Sequence, residues 1–192
     1  MIYETLSERH LRQVDAFSCI DSPDMLANLN AKVRRRVIKH SKEMEDFLKE
    51  EALDEQELGT NTTHLLIDGE KIVAYLSLCA DAIPLESEER AEEGMTYSTS
   101  PALKLARLAV ATDYQGQGIG KKMIRYAAYI ADQLKEQCGI AFLTLDCYEH
   151  RVPFYEHIGF KRNQIQPIQL DYDSPVSMRL NLVEFLDSIC SE

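Results

Sequence analysis

The stretch that decides the fold is "LARLAVATDYQGQGIGKKMI", Leu105 to Ile124. It begins with an apolar run, interrupted by Arg107, that is typical of a buried strand. Gly116, Gly118 and Gly120 then stand at alternate positions and lead directly into a helical apolar repeat. A strand that passes through glycines into a helix creates an anion site, because the first-turn amides converge and the missing Cβ atoms admit a phosphate. The stretch therefore predicts a phosphate-binding loop.

Three phosphate-binding patterns compete for this loop. A Walker loop has four residues between its glycines, but Gly116 and Gly120 are separated by three, and Lys121 is not followed by Ser or Thr. A dinucleotide fingerprint needs a glycine three positions after Gly118, where Lys121 stands. The remaining pattern, Gln/Arg-x-x-Gly-x-Gly/Ala, fits through Gln115, Gly118 and Gly120.

With this third pattern the sequence resembles the GNAT superfamily of acetyl-CoA-dependent N-acetyltransferases. The apolar run, loop and helix look like the family's strand, pyrophosphate loop and helix, and "FYEHIGF", Phe154 to Phe160, resembles its second signature. The resemblance implies one N-acetyltransferase domain over residues 1–192. Its expected fold is α/β (α+β), with a central mixed, mostly antiparallel sheet that is splayed between two central strands and flanked by helices.

The rest of the chain contains elements that suit such a domain. Steps of three and four between apolar residues predict helices, and the Asp68-Gly69 dipeptide predicts a turn between two strands. The predicted elements are a strand at Ile2 to Thr5, a helix from Ser7, two helices over Asp24 to Leu58 with a break near His40 and Ser41, an irregular loop at Ile83 to Pro101, a strand at Ala102 to Ala111, a helix at Gly118 to Glu136, a strand at Ile140 to Cys147, a short helix at Val152 to His157, two final strands from Phe160 and at Ser177 to Leu182, and a helical turn at Val183 to Cys190.

The resemblance implies where acetyl-CoA binds as co-substrate. The backbone of Leu108, Ala109 and Val110 is expected to pair with the pantetheine arm, as an added strand would. The amide of Val110 is the expected contact for the thioester oxyanion. The loop is expected to hold the CoA pyrophosphate through Gln115, Gly116, Gln117, Gly118, Ile119, Gly120 and Lys121.

Tyr155 fills the position of the family's usual general acid. A phenol has a reference pKa near ~10, so it is protonated at neutral pH and can donate to a departing thiolate. The alternative role is structural, with Tyr155 packing its helix on the sheet. Tyr148 stands where relatives often have an asparagine, so we expect no contact from an asparagine side chain at this position.

The sequence does not assign a general base. Asp81, Asp146 and Glu149 lie near predicted strand ends, where a carboxylate could act through water or be a surface charge. Cys147 and His150 allow a nucleophile-and-base reading, but the family transfers the acetyl group directly. The five scattered histidines form no cluster with metal-ligand spacing, so we expect no metal.

Composition gives the expected class and location. Five cysteines without a C-x-x-C pair favour reduced thiols in a cytoplasm, and no apolar run approaches the ~18 residues of a membrane span. We expect a soluble, cytoplasmic protein with no membrane partner. The formal net charge is −11, with acidic runs at Glu43 to Glu57 and Glu86 to Glu93 and one basic run at Lys32 to Lys39. This excess of negative charge argues against a protein whose main function is to bind the backbone of a nucleic acid.

The main expectation for the acceptor is therefore a primary amine of a small molecule or peptide, with nucleic acid unfavoured and a homodimer left open. Residues 24–58 and 83–101 are the expected acceptor-side elements. One alternative is an acetyltransferase toxin of a toxin–antitoxin operon, acting on aminoacyl-tRNA, since "FSC" at Phe17 to Cys19, "DFLKEEA" and "LARLAV" with Arg107 resemble such toxins. A second alternative is a non-catalytic CoA-binding regulatory module.

Overall fold

The computed structural model describes residues 1–27, 29–168 and 174–190. Residues 28, 169–173 and 191–192 of the expected single domain lie outside the described residues. Seven strands form one sheet in the order β1-β2-β3-β4-β5-β7-β6. The strands are β1 (Ile2–Thr5), β2 (Thr62–Asp68), β3 (Lys71–Pro84), β4 (Thr99–Val110), β5 (Phe142–Cys147), β6 (Lys161–Arg162) and β7 (Val176–Asn181).

The α-helices lie mainly in the segments that connect these strands. They are α1 (Leu11–Asp15), α2 (Pro23–Leu26), α3 (Ala31–Asp46), α4 (Ala52–Glu57), α5 (Ser87–Glu93), α6 (Ile119–Lys135), α7 (Val152–Ile158) and α8 (Leu182–Cys190). β4 and β5 pair in parallel, whereas β1 with β2, β2 with β3, β5 with β7 and β6 with β7 pair antiparallel. The predicted fold class, a mixed and mostly antiparallel GNAT-like sheet with helices, is confirmed.

The chain divides into two compact units. Unit one contains residues Met1–Leu78 and Arg107–Ile124, and unit two contains Cys79–Ala106 and Arg125–Glu192. β3, β4 and α6 each contribute residues to both units.

The core of unit one is built around Tyr75. Its ring is fully buried, packs edge-on against Phe17 and stacks with Phe47. Its hydroxyl donates to the carbonyl of Met44 over 2.7 Å, so a buried polar group is satisfied. The packing joins the segment after α1, the segment after α3 and strand β3 into one core.

Unit two contains the start of β4 and the strands β5, β6 and β7. Ile83, Leu85, Ala102 and Phe142 form a buried cluster there. β4 and β5 pair only where both strands begin, and within the described residues the last of their three partner pairs is Lys104 with Thr144. β4 continues to Val110 and β5 to Cys147, so their ladder ends early, as the predicted splay requires.

Helix α3 contradicts one sequence prediction. We expected a break near His40 and Ser41, but α3 continues to Asp46 and is followed by a π-helical turn at Phe47–Glu51. The hydroxyl of Ser41 donates to the carbonyl of Val37, four residues earlier, over 3.0 Å, so the polar side chain is satisfied inside the helix.

The segment 83–101 also differs from its prediction as an irregular loop. β3 extends to Pro84, α5 occupies Ser87–Glu93, and β4 begins at Thr99. The carboxylate of Glu89 accepts from the amide of Glu86 over 3.0 Å, and Gly94 ends the helix with a φ of 66°. Glu88 and Glu89 of this acidic segment thus lie in the first turn of a helix, where carboxylates are favoured.

Candidate active site

The glycine loop lies in unit one, between the end of β4 and the start of α6. Gly116 and Gly118 are exposed and have φ values of 74° and 76°, in the left-handed region that favours glycine. A Cβ atom built at either position would meet no other atom within 4 Å. The loop therefore presents an open backbone surface at which a ligand can approach closely.

The backbone amides of this loop are available to a ligand. In the part of the chain that the structure describes, the amides of residues 116–120 have no hydrogen-bond acceptor, and the first later bond runs from the Lys122 amide to the Gly118 carbonyl over 3.1 Å. The initial N–H groups of a helix lack intrahelical partners and carry the positive end of its dipole. These residues fit a pyrophosphate group.

Gln115 has a role in the structure that the sequence did not reveal. Its side-chain oxygen accepts from the Ser22 amide over 3.1 Å, and its nitrogen donates to the carbonyls of Cys19 and Val110 over 3.1 and 3.2 Å. Its own amide closes a turn on Thr112 over 3.3 Å. Gln115 therefore fastens the glycine loop to a neighbouring segment, and its side chain is engaged with protein.

That neighbouring segment, Ser18 to Ser22, is here named the link segment. It is held on its other side by Glu45 of α3, which is 5% exposed. The Glu45 carboxylate accepts from the Ser18 hydroxyl and from the Cys19 amide, each over 2.7 Å. Thr112 donates from its amide to Ser18 over 3.0 Å, so the link segment joins α3 to the loop that follows β4.

The end of β4 carries the residues predicted to line the pantetheine arm. Ala109 is buried, whereas Leu108 and Val110 are half-buried. The Val110 carbonyl accepts the Gln115 bond, and the next amide, of Ala111, donates to Val73 on β3 over 2.8 Å. β3 and Gln115 therefore fix the position of this strand end.

The two lysines after the loop differ in their surroundings. Lys121 is half-buried, whereas the exposed Lys122 lies over the ring of Tyr3, with its nitrogen 5.9 Å from the ring centre. A cation at this distance is attracted to the ring face.

Tyr155 lies in unit two, on α7. Its half-buried ring packs edge-on against Phe154 and Phe160, with ring centres 5.0 and 5.6 Å away. Burial, and then the nearby Cys147, raise the pKa of the Tyr155 hydroxyl well above its ordinary value. Among the described residues this hydroxyl has no hydrogen-bond partner. It is therefore a protonated group that can donate.

The three carboxylates considered as general bases each have a partner within unit two. Asp81 accepts from the Thr144 hydroxyl over 2.5 Å, Asp146 pairs with Lys104 at 2.6 Å, and Glu149 pairs with Arg162 at 2.7 Å. Since each carboxylate is engaged, the geometry selects none of them.

The nucleophile-and-base reading of Cys147 and His150 also lacks support. Burial raises the pKa of the Cys147 thiol to about 12, and its sulfur lies 3.7 Å from that of Met178. A thiol with this pKa is a poor nucleophile at neutral pH. His150 stacks on Tyr148 with ring centres 6.0 Å apart.

The described residues contain neither a candidate metal centre nor a membrane-spanning helix. No group of three or more His, Cys, Asp or Glu side chains among them could hold a metal ion. Nor is any described helix both long enough and apolar enough to cross a membrane.

Residues 60–162, more than half of the chain, match the family of acetyltransferase (GNAT) domains. This match includes the glycine loop, β5 and Tyr155. The chain therefore belongs to the GNAT family, whose acetyl donor is acetyl-CoA, and it is an acyltransferase.

Individual proteins also match the chain, in sequence or in structure. The tRNA-acetylating toxin of Mycobacterium tuberculosis is 24% identical over 129 residues, which cover 66% of this chain and 77% of the toxin. A tyrosine-to-phenylalanine mutant of KacT matches with a TM-score of 0.72 and 16% identity over 97% of this chain and 98% of KacT. AtaT complexed with acetyl-methionyl-tRNAfMet matches with a TM-score of 0.70 and 15% identity over 98% of both chains. The structural matches show a shared fold.

These relatives correct the expectation for partners. We expected a small-molecule or peptide amine and considered nucleic acid unfavoured because of the net charge of −11. That expectation is wrong, because the named relatives include a tRNA-acetylating toxin and a protein in complex with an acetylated tRNA. Net charge was a poor guide because salt screens charges beyond about 8–10 Å, so the local surface dominates at contact.

Proposed function

We propose that this chain transfers the acetyl group of acetyl-CoA to the amino group of an aminoacyl-tRNA, as a toxin-type acetyltransferase. The observation that carries the proposal is the match of nearly the whole chain to AtaT, whose structure contains an acetylated aminoacyl-tRNA. The sequence similarity to a tRNA-acetylating toxin supports it independently. We further propose that residues 1–192 act as one acetyltransferase domain, which is supported by a family match that includes residues of both units.

The donor half of the proposed site is the glycine loop. The amides of Gly116, Gln117, Gly118, Ile119 and Gly120 would hold the pyrophosphate of CoA, with Lys121 nearby and Gln115 fixing the loop. The backbone of Leu108, Ala109 and Val110 would pair with the pantetheine arm. The early end of the β4–β5 ladder supports this role, since it leaves the end of β4 beyond its last partner pair with β5.

Acetyl-CoA supplies a thioester whose acyl carbon is open to attack by a neutral amine. As the C–N bond forms and the C–S bond breaks, the Val110 amide would donate to the developing oxyanion. Tyr155 would give its proton to the departing thiolate, and its raised pKa keeps that proton in place at neutral pH. The proton released by the amine passes to solvent, since the structure selects no side-chain base.

The proposal can be tested directly with bulk tRNA. The purified protein would be incubated with radiolabelled acetyl-CoA and tRNA charged by a cell extract, and the products would be digested and analysed by mass spectrometry. We expect N-acetyl aminoacyl-adenosine from charged tRNA, and no label on deacylated tRNA. Failure to label any charged tRNA, by protein shown to bind CoA, would overturn the proposal.

A further inference from the structure

Helix α3 carries a row of basic side chains on one face. Lys32, Arg35, Lys39 and Lys42 are separated by three, four and three residues, which places them on the same side of a helix. All four are exposed. We name these four residues the basic stripe.

The opposite face of α3 is buried. Val37, Ser41 and Glu45 point into unit one, where the Glu45 carboxylate holds Ser18 and Cys19 of the link segment. The link segment is in turn bonded to Gln115 beside the glycine loop. The helix that presents the basic stripe to solvent is therefore also the helix that braces the donor loop.

Helix stability does not explain the basic stripe. Cations are unfavourable near the positive end of the helix dipole, yet Lys32 and Arg35 lie within the first turns of α3, and its first turn contains no acidic residue. The later residues have local partners, since Lys39 lies 3.4 Å from Glu43 and Lys42 lies 2.5 Å from Asp46. For Lys32 and Arg35, no ion pair with any described residue exists.

We propose that the basic stripe binds the phosphate backbone of the tRNA whose aminoacyl end is acetylated. This inference rests on the proposed function. The stripe spans about 15 Å at 1.5 Å per residue, which is the length of several consecutive nucleotides in a duplex. The unpaired side chains of Lys32 and Arg35, on a strongly acidic protein, match a polyanion, and they would position RNA without reading its sequence.

The test compares two double variants with the same change in net charge. Lys32→Ala with Arg35→Ala removes the unpaired end of the stripe, and Lys71→Ala with Lys135→Ala removes two exposed lysines elsewhere. Binding of bulk aminoacyl-tRNA is measured between 50 and 300 mM salt, with Tyr155→Phe added to each protein so that no acetyl transfer occurs.

We expect the stripe variant to bind tRNA on the order of tenfold more weakly at low salt, with its log–log salt slope reduced by about 2, roughly one per lost phosphate contact. The control variant should follow the parent protein. With Tyr155 restored, the stripe variant should show a raised KM for aminoacyl-tRNA at an unchanged kcat and unchanged CoA affinity.

Two failures are distinguishable. If the protein with Tyr155 intact acetylates charged tRNA but the stripe and control variants bind it equally, the stripe inference is wrong and the proposed function stands. If that protein acetylates no charged tRNA, the proposed function falls and the inference falls with it. If the stripe variant lost its binding to a DNA duplex but kept its binding to tRNA, the inference would also be wrong.

Discussion

Gly118 is the residue at which a side chain should affect the donor site most directly. Gly118→Val would place a branched side chain on an exposed backbone with a φ of 76°, where the proposed pyrophosphate contacts lie. We expect CoA affinity to fall by at least tenfold, or about 1.4 kcal/mol, as measured by calorimetry.

The matched control for this change is Gly59→Val. Gly59 has a φ of 73° and also has open space beside it, but it follows the end of α4 and lies outside the loop. Both substitutions should cost about 1–2 kcal/mol of backbone strain. Equal CoA affinity in the two folded variants would show that the glycine loop is not part of the donor site.

Tyr155→Phe tests the acid role at the same scale. Removing the hydroxyl should lower kcat by about 10²-fold while leaving the CoA dissociation constant nearly unchanged. Tyr129→Phe, at an exposed tyrosine on α6, is the control and should keep full activity. If kcat for Tyr155→Phe stayed within twofold, with chemistry shown to limit the rate, Tyr155 would be a packing residue.

The pH dependence of kcat gives a second measurement on Tyr155. Free tyrosine loses its proton near pH 10, and burial raises the pKa of Tyr155 further. The acid form therefore persists through the neutral and mildly alkaline range, and deprotonation of Tyr155 should cause no decline in kcat between pH 6 and about pH 9.5. A decline in that range that disappears in Tyr155→Phe would contradict the raised pKa.

At the scale of elements, Gln115 connects the glycine loop to the link segment. Gln115→Ala removes three hydrogen bonds that hold the loop in place. Because the free loop of the variant is then less ordered, CoA binding must include the cost of ordering it. We expect CoA affinity to fall by about tenfold, with kcat at saturation retained. Gln115→Glu should be worse, since a carboxylate cannot donate to the Cys19 and Val110 carbonyls.

Gln56→Ala is the matched control for Gln115→Ala. Gln56 makes the same kind of contact elsewhere in unit one, donating to Leu6 over 2.9 Å and accepting from Thr63 over 3.0 Å. Its loss should lower the melting temperature without changing CoA affinity. A similar loss of CoA affinity in both variants would indicate general destabilisation.

Helix α5 depends on a buried ion cluster in unit two. Arg179 on β7 is 2% exposed and pairs with Glu89 at 2.5 Å and Glu93 at 3.1 Å. Arg179→Met would leave both carboxylates buried without this partner, so we expect a loss of about 3–5 kcal/mol in the free energy of unfolding, measured by urea denaturation.

Two further variants separate charge from packing in this cluster. Lys135→Met, which breaks an exposed pair with Asp132, should cost less than about 1 kcal/mol. Adding Glu89→Gln and Glu93→Gln to Arg179→Met should recover part of the loss, because the buried charges are then removed. No recovery would mean that the packing of Arg179 matters more than its charge.

The same elements show what the sequence could predict. Helix α6 was predicted within about one residue at each end because its apolar period is long and regular. Helix α5 was not predicted, because Arg179, which neutralises the buried carboxylates of this helix, lies 86 residues after Glu93. The glycine loop was predicted from its local pattern, whereas the partners of the Gln115 side chain depend on a contact with Ser22, 93 residues away.

At the scale of the whole molecule, net charge and local charge gave opposite indications about the partner. The value of −11 is a sum over the chain, and much of it comes from acidic runs such as Glu43 to Glu57 and Glu86 to Glu93. The sum hides the clustering of exposed cations on one face of α3 and the burial of Glu45, Glu89 and Glu93. Only the folded chain shows which charges a partner meets.

The last prediction concerns the effect of the whole protein on a cell. An acetylated α-amine is no longer a nucleophile, so an aminoacyl-tRNA modified in this way cannot accept a growing peptide. Expression of the wild-type chain in a bacterium should therefore arrest growth and protein synthesis, measured by optical density and by incorporation of labelled amino acids. Tyr155→Phe and Gly118→Val should relieve the arrest at equal protein levels, whereas Tyr129→Phe and Gly59→Val should not. Arrest that persisted in Tyr155→Phe and Gly118→Val would show that toxicity does not come from acetyl transfer.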